Sequence, residues 1–484
     1  MLQQSILDKL IPVIIFTAYF VFRYLGIDVN SLAGDEPFSV YFAQMPIGDV
    51  IRHLKPGNNP PLYELILHFW IKIFGIGEIS VRFPSLLFSA ATCTTLYLIG
   101  LRYFNQLTGI TASFLFLFSN YATYFAHEAR TYALFGFVTA LSILLTLKLV
   151  EGKTIRKAVV WGLVNGILMY THYFGVMVIV IEVIAIFLLM RKEKAIKPLL
   201  IGIGVSVLLF SPYISVVVER FINMQEEGTW LQKPQGFATL KYMLNQFAGS
   251  SKLALISIVV LIIGLVKQVY TQSKNRNAFW LIFALFVIPF FGMFIVSYQI
   301  PMFHNRYLMH AFVPFILLLA ISANGLMNKR TYDFALAMFL VASFAIKSQI
   351  NVDNGRHIKE AVAEIKSLSE NNERVVIYPK HRVFGYAYYF NRNRFKEYDR
   401  EYGFYNVIEG FKDDAIYFIN QYSEARIDTA CCDKVVFAMT DSGSKDQIMN
   451  EFKKEYDVTE TEHFPEIIDV IKFEKTKKKT PTLD

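Results

Sequence analysis

Charge is scarce in this 484-residue chain. Only 18% of its residues are Asp, Glu, Lys or Arg, where a soluble domain carries about a quarter. The deficit is concentrated in long apolar runs, which excludes an ordinary water-soluble globule. Cysteine is rarer still. Cys93, Cys431 and Cys432 offer neither metal-ligand spacing nor a disulfide framework, so all three read as structural or free thiols. No internal repeat and no low-complexity segment is found. The net charge is +8, but no basic stripe is interleaved with a base-reading motif. Nucleic acid is therefore excluded as a partner, and the positive balance is read as information about topology.

What is present is hydrocarbon. The composition is 54% hydrophobic and 15% aromatic, with 44 Phe and 27 Tyr, and the mean hydropathy is +0.37. A bilayer core needs roughly 20 apolar residues per helix. Such runs lie near 9–26, 82–104, 107–126, 131–150, 157–171, 173–190, 196–218, 252–270, 278–298, 307–326 and 331–348. The reading is a mainly α polytopic membrane protein of about eleven helices.

Lys and Arg favour cytoplasmic loops. Alternate loops hold Arg102; Lys148, Lys153, Arg156 and Lys157; Arg191, Lys192, Lys194 and Lys197; Lys267, Lys274 and Arg276; and Lys329 with Arg330. The intervening loops are less basic, although Arg23, Lys55 and Lys233 run against the trend. The N-terminus is thus expected inside, and the long first loop (27–81) and everything beyond about 350 outside. The first run has no small-residue cleavage site and reads as a retained helix, not a signal peptide. The domains are expected to be a membrane domain over 1–349 and a small soluble domain over 350–484. In the latter, helical stretches His357–Leu368 and Asp446–Glu455 alternate with strand-like runs Arg374–Tyr378, Lys434–Met439 and Ile467–Phe473, as an α/β domain does. The basic tail Lys475–Lys479 lies too far from the last helix to carry topological weight.

The outer loops hold the suggestive residues. Asp35 and Glu36 stand in Gly34-Asp35-Glu36-Pro37, which taken alone is an ordinary solvated turn. Asn58-Asn59-Pro60-Pro61-Leu62-Tyr63 leads into a run with Leu62, Leu65, Ile66, Phe69 and Ile73 at helical spacing, as in a helix lying in the membrane interface. Phe74-Gly75 and then Arg82-Phe83-Pro84-Ser85 open the next span. His127-Glu128-Ala129-Arg130-Thr131-Tyr132 joins two spans directly, so Glu128 and Arg130 lie at the membrane boundary. Ionisable groups there are functional candidates by default, against the plainer reading of a structural Glu–Arg pair. Thr171-His172-Tyr173 marks another outer junction, where a hydrogen-bonded structural His is the bland alternative. Trp230 reads as an interfacial anchor. Arg306, in His304-Asn305-Arg306-Tyr307-Leu308, opens the tenth run. A guanidinium is always charged and grips phosphate in a planar fork, although snorkelling is the simpler role. The helix count places Asp35, Glu36, Glu128, Arg130, His172 and Arg306 on one side of the membrane without having used them. Acids and cations at one interface suit a reaction between a polar acceptor and a phosphate-bearing lipid.

In the order and spacing of these elements, residues 9–330 resemble the GT-C glycosyltransferases, specifically the family 39 type related to protein O-mannosyltransferases and aminoarabinose transferases. The resemblance implies a GT-C helix bundle and a polyprenyl-phosphate-sugar donor. It implies transfer on the extracytoplasmic face to a glycan, lipid or protein acceptor, usually with inversion. It makes Asp35 the expected catalytic base, with Glu36 orienting the acceptor or Asp35. Tyr63, Glu128, Arg130, His172, Tyr173, Arg306 and Tyr307 become expected substrate-binding residues. No cofactor is required and no ligand cluster demands a metal, while a divalent cation is compatible with the phosphate. The basic residue common before the Pro-Pro pair is replaced here by Asn59. A transporter or lipid flippase is the alternative, but it predicts inverted repeats and midplane polar sites. A non-catalytic envelope scaffold predicts that Asp35 and Arg306 are dispensable. An epitope tag inserted in the 27–81 loop is expected to bind antibody on intact cells without permeabilisation; labelling only after permeabilisation would reverse the topology.

Overall fold

A helix is the open-chain geometry that closes its own backbone hydrogen bonds, so an apolar run in lipid has little choice. Each of the eleven runs is helical in the computed structural model. The structure describes residues 6–476 except 58, 191–195, 228–230, 271–274, 326–329, 354, 370–372, 397–404, 422, 425–431, 441–444 and 465–467. Trp230, Asn58, Cys431 and the basic residues Arg191, Lys192, Lys194, Lys274 and Lys329 lie outside the described residues, as does most of the basic tail.

The chain forms two compact units. The first comprises Met1–Ile27, Val50–Gly75 and Ile79–Val352. Its helices, with those of the first loop, run α1 (Ile6–Tyr24), α2 (Glu36–Ala43), α3 (Ile47–Leu54), α4 (Leu62–Phe74), α5 (Glu78–Tyr103), α6 (Gln106–Leu117), α7 (Asn120–Ala126), α8 (Tyr132–Gly152), α9 (Ile155–Thr171), α10 (Gly175–Met190), α11 (Ile196–Phe210), α12 (Ile214–Glu227), α13 (Phe237–Ala248), α14 (Ser251–Tyr270), α15 (Arg276–Val296), α16 (Met309–Ala323) and α17 (Arg330–Lys347). Among the described residues six helices are long and apolar enough to cross a membrane, and the chain is an integral membrane protein. The other runs fall short for identifiable reasons. α1 and α17 each carry three charges, and α9 and α10 have 17 and 16 residues. The run 107–126 is split where Ser119 caps α7, its side chain accepting from the Ala122 amide.

α16 is apolar all round and buried along almost its whole length, as befits a helix surrounded by others. Elsewhere small residues let backbones meet. A Cβ on Gly100 of α5 would stand 2.5 Å from the Gly109 Cα of α6. Two interior charged groups are held by protein partners. Arg23, at the end of α1, donates to the carbonyls of Leu117 and Gln349 and to Ser348 Oγ at 3.0 Å. Its place against the charge trend is therefore explained by helix-end carbonyls that need a donor. Lys55 has an exposed partner in Glu219 at 3.3 Å. Glu182 of α10 is fully buried, taking Ser142 Oγ at 2.7 Å and Trp161 Nε1 at 3.1 Å, so α8, α9 and α10 share one polar clasp.

The second unit comprises Asp28–Asp49, Ile76–Glu78 and Asp353–Asp484. Its five strands are β1 (Arg374–Tyr378), β2 (Ile416–Phe418), β3 (Lys434–Thr440), β4 (Tyr456–Phe464) and β5 (Ile468–Lys475), in the order β2-β1-β3-β5-β4. β2, β1 and β3 are parallel, whereas β5 and β4 add antiparallel. Central β3 is buried on both faces, with Phe437 packed 4.6 Å from Phe452 and 5.5 Å from Phe473. β4 is exposed and acidic, which suits a protected edge. The helices α18 (Ile358–Leu368), α19 (Val383–Phe390), α20 (Arg392–Phe395), α21 (Tyr405–Lys412) and α22 (Lys445–Phe452) complete the α/β fold.

Residues 28–49 of the first loop pack into this unit. Phe384 of α19 meets Phe38 and Tyr41 of α2 at 5.4 and 5.6 Å, and Tyr389 Oη accepts from the Leu32 amide at 2.6 Å. Ser31 Oγ donates to Glu360 Oε2 at 3.0 Å and accepts from the Lys359 amide at 3.1 Å.

Gly100→Val and Gly109→Val should each lower stability by about 1–3 kcal/mol through overpacking of α5 against α6, read as a lower melting temperature of the protein in detergent. Unchanged melting would refute the close approach.

Candidate functional site

Within the first unit, helix ends gather the ionisable residues. α4 carries its apolar stripe outward, with Phe69, Ile73 and Phe74 exposed, and buries Tyr63, Glu64, Leu67, His68 and Ile71. This inverts the habit of a soluble helix and fits one lying against lipid. Tyr63 Oη shares a hydrogen bond with Ser85 Oγ at 2.8 Å, and Ser85 Oγ donates to the Arg130 carbonyl at 3.4 Å. The Arg130 guanidinium lies 3.5 Å from Glu64 Oε1, both side chains nearly buried. Thr131 Oγ1 donates to the Thr171 carbonyl at 2.8 Å, which ties the turn before α8 to the end of α9.

There His172 is almost fully enclosed. Its ring stacks on Phe135 at 4.8 Å and on Phe174 at 5.2 Å, and meets Tyr307 edge-on at 5.4 Å. The Phe174 amide donates to His172 Nδ1 at 3.2 Å. That places the imidazole proton on Nε2, a buried donor with no hydrogen-bond partner among the described residues. The Arg306 guanidinium lies 5.9 Å from the Tyr307 ring centre. Burial, then His310, and then the charges of Arg130 and Arg306 disfavour a second proton on His172.

The structure thus brings Tyr63, Arg130, His172, Arg306 and Tyr307 to one end of the bundle. Glu128 is buried in the same turn as Arg130, whose amide donates to the Glu128 carbonyl at 2.8 Å. Tyr173 instead packs beside Met169, Phe210, Tyr213 and Val216. Two residues escaped the sequence reading. Glu64 was hidden because α4 was read from its apolar stripe, although a carboxylate next to Tyr63 in an interfacial helix was the available signal. His310, one turn beyond Tyr307 and 5.2 Å from Phe135, was absorbed into an apolar run.

Asp35 and Glu36 belong to the second unit. Gly34 adopts φ +61°, a left-handed value that favours glycine. The Asp35 carbonyl then accepts from the Ser39 amide at 3.1 Å as α2 begins, with Pro37 in its first turn. The two acids differ in setting. Glu36 is buried, and its Oε2 accepts from the Ala33 amide at 3.4 Å, closing its own turn. Asp35 is half-buried. Near it, burial and then the like charge of Arg356 hold the Arg382 guanidinium below its usual range, while Tyr386 and Asp35 act in the opposite direction. Among the described residues no group of three or more His, Cys, Asp or Glu is arranged to hold a metal.

Residues 58–215, about a third of the chain, match the family described as dolichyl-phosphate-mannose-protein mannosyltransferase. A comparison of the sequence with curated proteins gives no match. Among solved structures, ArnT from Cupriavidus metallidurans bound to undecaprenyl phosphate is similar with a TM-score of 0.62 at 11% identity, over 95% of this chain and 97% of that one. The same protein in the apo state gives 0.61 at 11% identity over the same shares. At that identity the likeness is one of fold, and the fold is GT-C.

In a double-mutant cycle, Glu64→Gln and Arg130→Gln are expected to couple by about 0.5–3 kcal/mol in stability. Additive melting shifts would show that the pair is incidental.

Proposed function

We propose that the chain is a membrane glycosyltransferase that moves a sugar from a polyprenyl-phosphate donor to an acceptor hydroxyl on the outer face of the membrane, with inversion. The observation that carries this reading is the His172 cluster. A buried neutral donor, Nε2–H, is flanked by Tyr307 and by the charges of Arg130 and Arg306, all at one end of a membrane bundle. Cations held at such a place suit a phosphate, and a neutral donor suits a sugar oxygen. The match of residues 58–215 to the mannosyltransferase family and the GT-C fold support the same class.

Polyprenyl phosphate is already a good leaving group, so the reaction needs no strong acid. Asp35 takes the proton of the acceptor hydroxyl as its oxygen bonds to the anomeric carbon. The bond from that carbon to the phosphate oxygen breaks with its electron pair, releasing polyprenyl phosphate. Attack opposite the leaving group inverts the anomeric centre, as in glycosidases that activate the nucleophile from the far face. Arg130 and Arg306 stabilise the charge that builds on the phosphate, and a water-poor setting makes such stabilisation large. Glu64 holds the Arg130 side chain, and Glu128 shapes the turn that presents it. Glu36 is assigned to closing the turn behind Asp35. No redox or group-carrying cofactor has a task in this sequence. A divalent cation would act only as a further charge on the phosphate.

The test supplies radiolabelled polyprenyl-phosphate sugars and a membrane-glycan extract to the purified protein in lipid. Asp35→Asn is expected to lose about 10²–10⁴-fold in transfer while remaining folded. Transfer that survives would remove Asp35 as the base, and no transfer from any donor, with no donor binding, would sink the class.

A further inference from the structure

Two arginines of the carboxy-terminal segment bear on the turn that carries Asp35. The first is Arg356, just before α18. Its Nη1 donates to the Ala33 carbonyl at 3.3 Å. Its guanidinium lies against Gly34 so closely that a Cβ there would stand 2.6 Å from Nη1 and 2.7 Å from Cζ. Gly34 is therefore required twice, for its positive φ and for this contact. The second is Arg382, immediately before α19. Phe384, two residues on, packs on Phe38, Tyr41 and Phe42 of the helix that Asp35 opens. Arg382 is half-buried, and its Nε has no hydrogen-bond partner among the described residues. The two guanidiniums repel each other, and the charge of Asp35 offsets that repulsion at Arg382.

We propose that Arg356 and Arg382 are positioning residues for the catalytic base, fixing the Gly34–Asp35 turn and keeping the Asp35 carboxylate charged and oriented. This rests on Asp35 being the base, as argued above. It makes the carboxy-terminal α/β segment part of the catalytic machinery and not only an appended domain. Other charged and titratable groups around the turn include Glu36 beside Asp35, Tyr386 and His381 next to Arg382, Tyr389 on the Leu32 amide, and Glu360 on Ser31. Further out, His357 lies 3.9 Å from both Asp353 and Glu360, and Lys359 pairs with Glu78 at 3.4 Å. Of the two arginines, Arg382 interacts with the charge of Asp35, and Arg356 is bonded to the turn at Ala33. An opposite charge favours the ionised carboxylate, so its removal makes the carboxylate easier to protonate.

The acid limb of kcat/KM against pH reads this directly, because a general base must be deprotonated to work. The probe is whichever labelled polyprenyl-phosphate sugar the wild type transfers. In Arg382→Gln and Arg356→Gln the acid limb should move to higher pH by roughly one unit. In Arg382→Lys and Arg356→Lys, which keep the charge, it should stay near the wild-type position. Arg356→Lys should still lose kcat, since an ammonium does not reproduce the flat contact on Gly34. A purely structural role predicts lower melting temperatures with the limb unmoved, and that result in folded variants overturns the proposal. An activity-independent arm combines Asp35→Asn with Arg382→Gln. Non-additive melting shifts support the pair and additive shifts count against it. If Asp35→Asn retains full transfer, the base assignment falls. If Asp35→Asn is inactive and the acid limbs coincide, only the positioning role falls.

Discussion

Hydrocarbon offers no hydrogen bonds, and most features of the first unit follow from that constraint. Backbone groups close within helices, and interior side chains such as Arg23 and Glu182 take protein partners. Arg23 serves carbonyls left open where α6 ends and beyond the end of α17, and Glu182 draws in Ser142 and Trp161 from two neighbouring helices. The constraint relaxes where helices end. Charged groups can be held there at lower cost, and that is where Arg130, His172 and Arg306 are found. The location of the candidate site is thus a consequence of the solvent before it is a matter of chemistry.

The aromatic residues add precision. Phe135 and Phe174 sandwich the His172 ring, and the Phe174 amide decides which nitrogen holds the proton. A neutral imidazole so fixed behaves as a single directed donor, whereas Arg130 and Arg306 act through charge and reach further. Sugar and phosphate make different demands, and on the proposed function these side chains would divide them without any residue having to serve both.

Much of this was legible in the sequence because hydrophobicity alone specifies it. The apolar runs became helices, and β1, β3 and most of β5 fell where Val- and Ile-rich segments lay. The break at Ser119 was not legible, since a cap residue inside an apolar run leaves the mean hydropathy unchanged. β4, with the sequence Tyr-Asp-Val-Thr-Glu-Thr-Glu-His-Phe, looks like a solvated linker because it is an exposed edge. Asp35, Arg130 and Arg306 stood out as charges at boundaries, but Glu64 was masked by its helix. Tyr173 follows His172 in sequence, yet its side chain packs with a different cluster. Least legible was the membership of residues 28–49 in the second unit. It depends on contacts such as Arg356 with Ala33 and Tyr389 with Leu32, which span more than three hundred residues and leave no local pattern.

That discontinuity has a consequence for biosynthesis. The 28–49 segment is made early, but the residues it packs with begin at Asp353. At about 5–20 residues per second, the interval lasts from roughly fifteen seconds to a minute. Throughout it Asp35 stands in a turn whose partners Arg356 and Tyr389 have not yet been synthesised. A chain that stops short of the carboxy-terminal segment keeps its bundle sequence whole but never completes that turn. Such an arrangement ties the readiness of the earliest loop to the synthesis of the last domain.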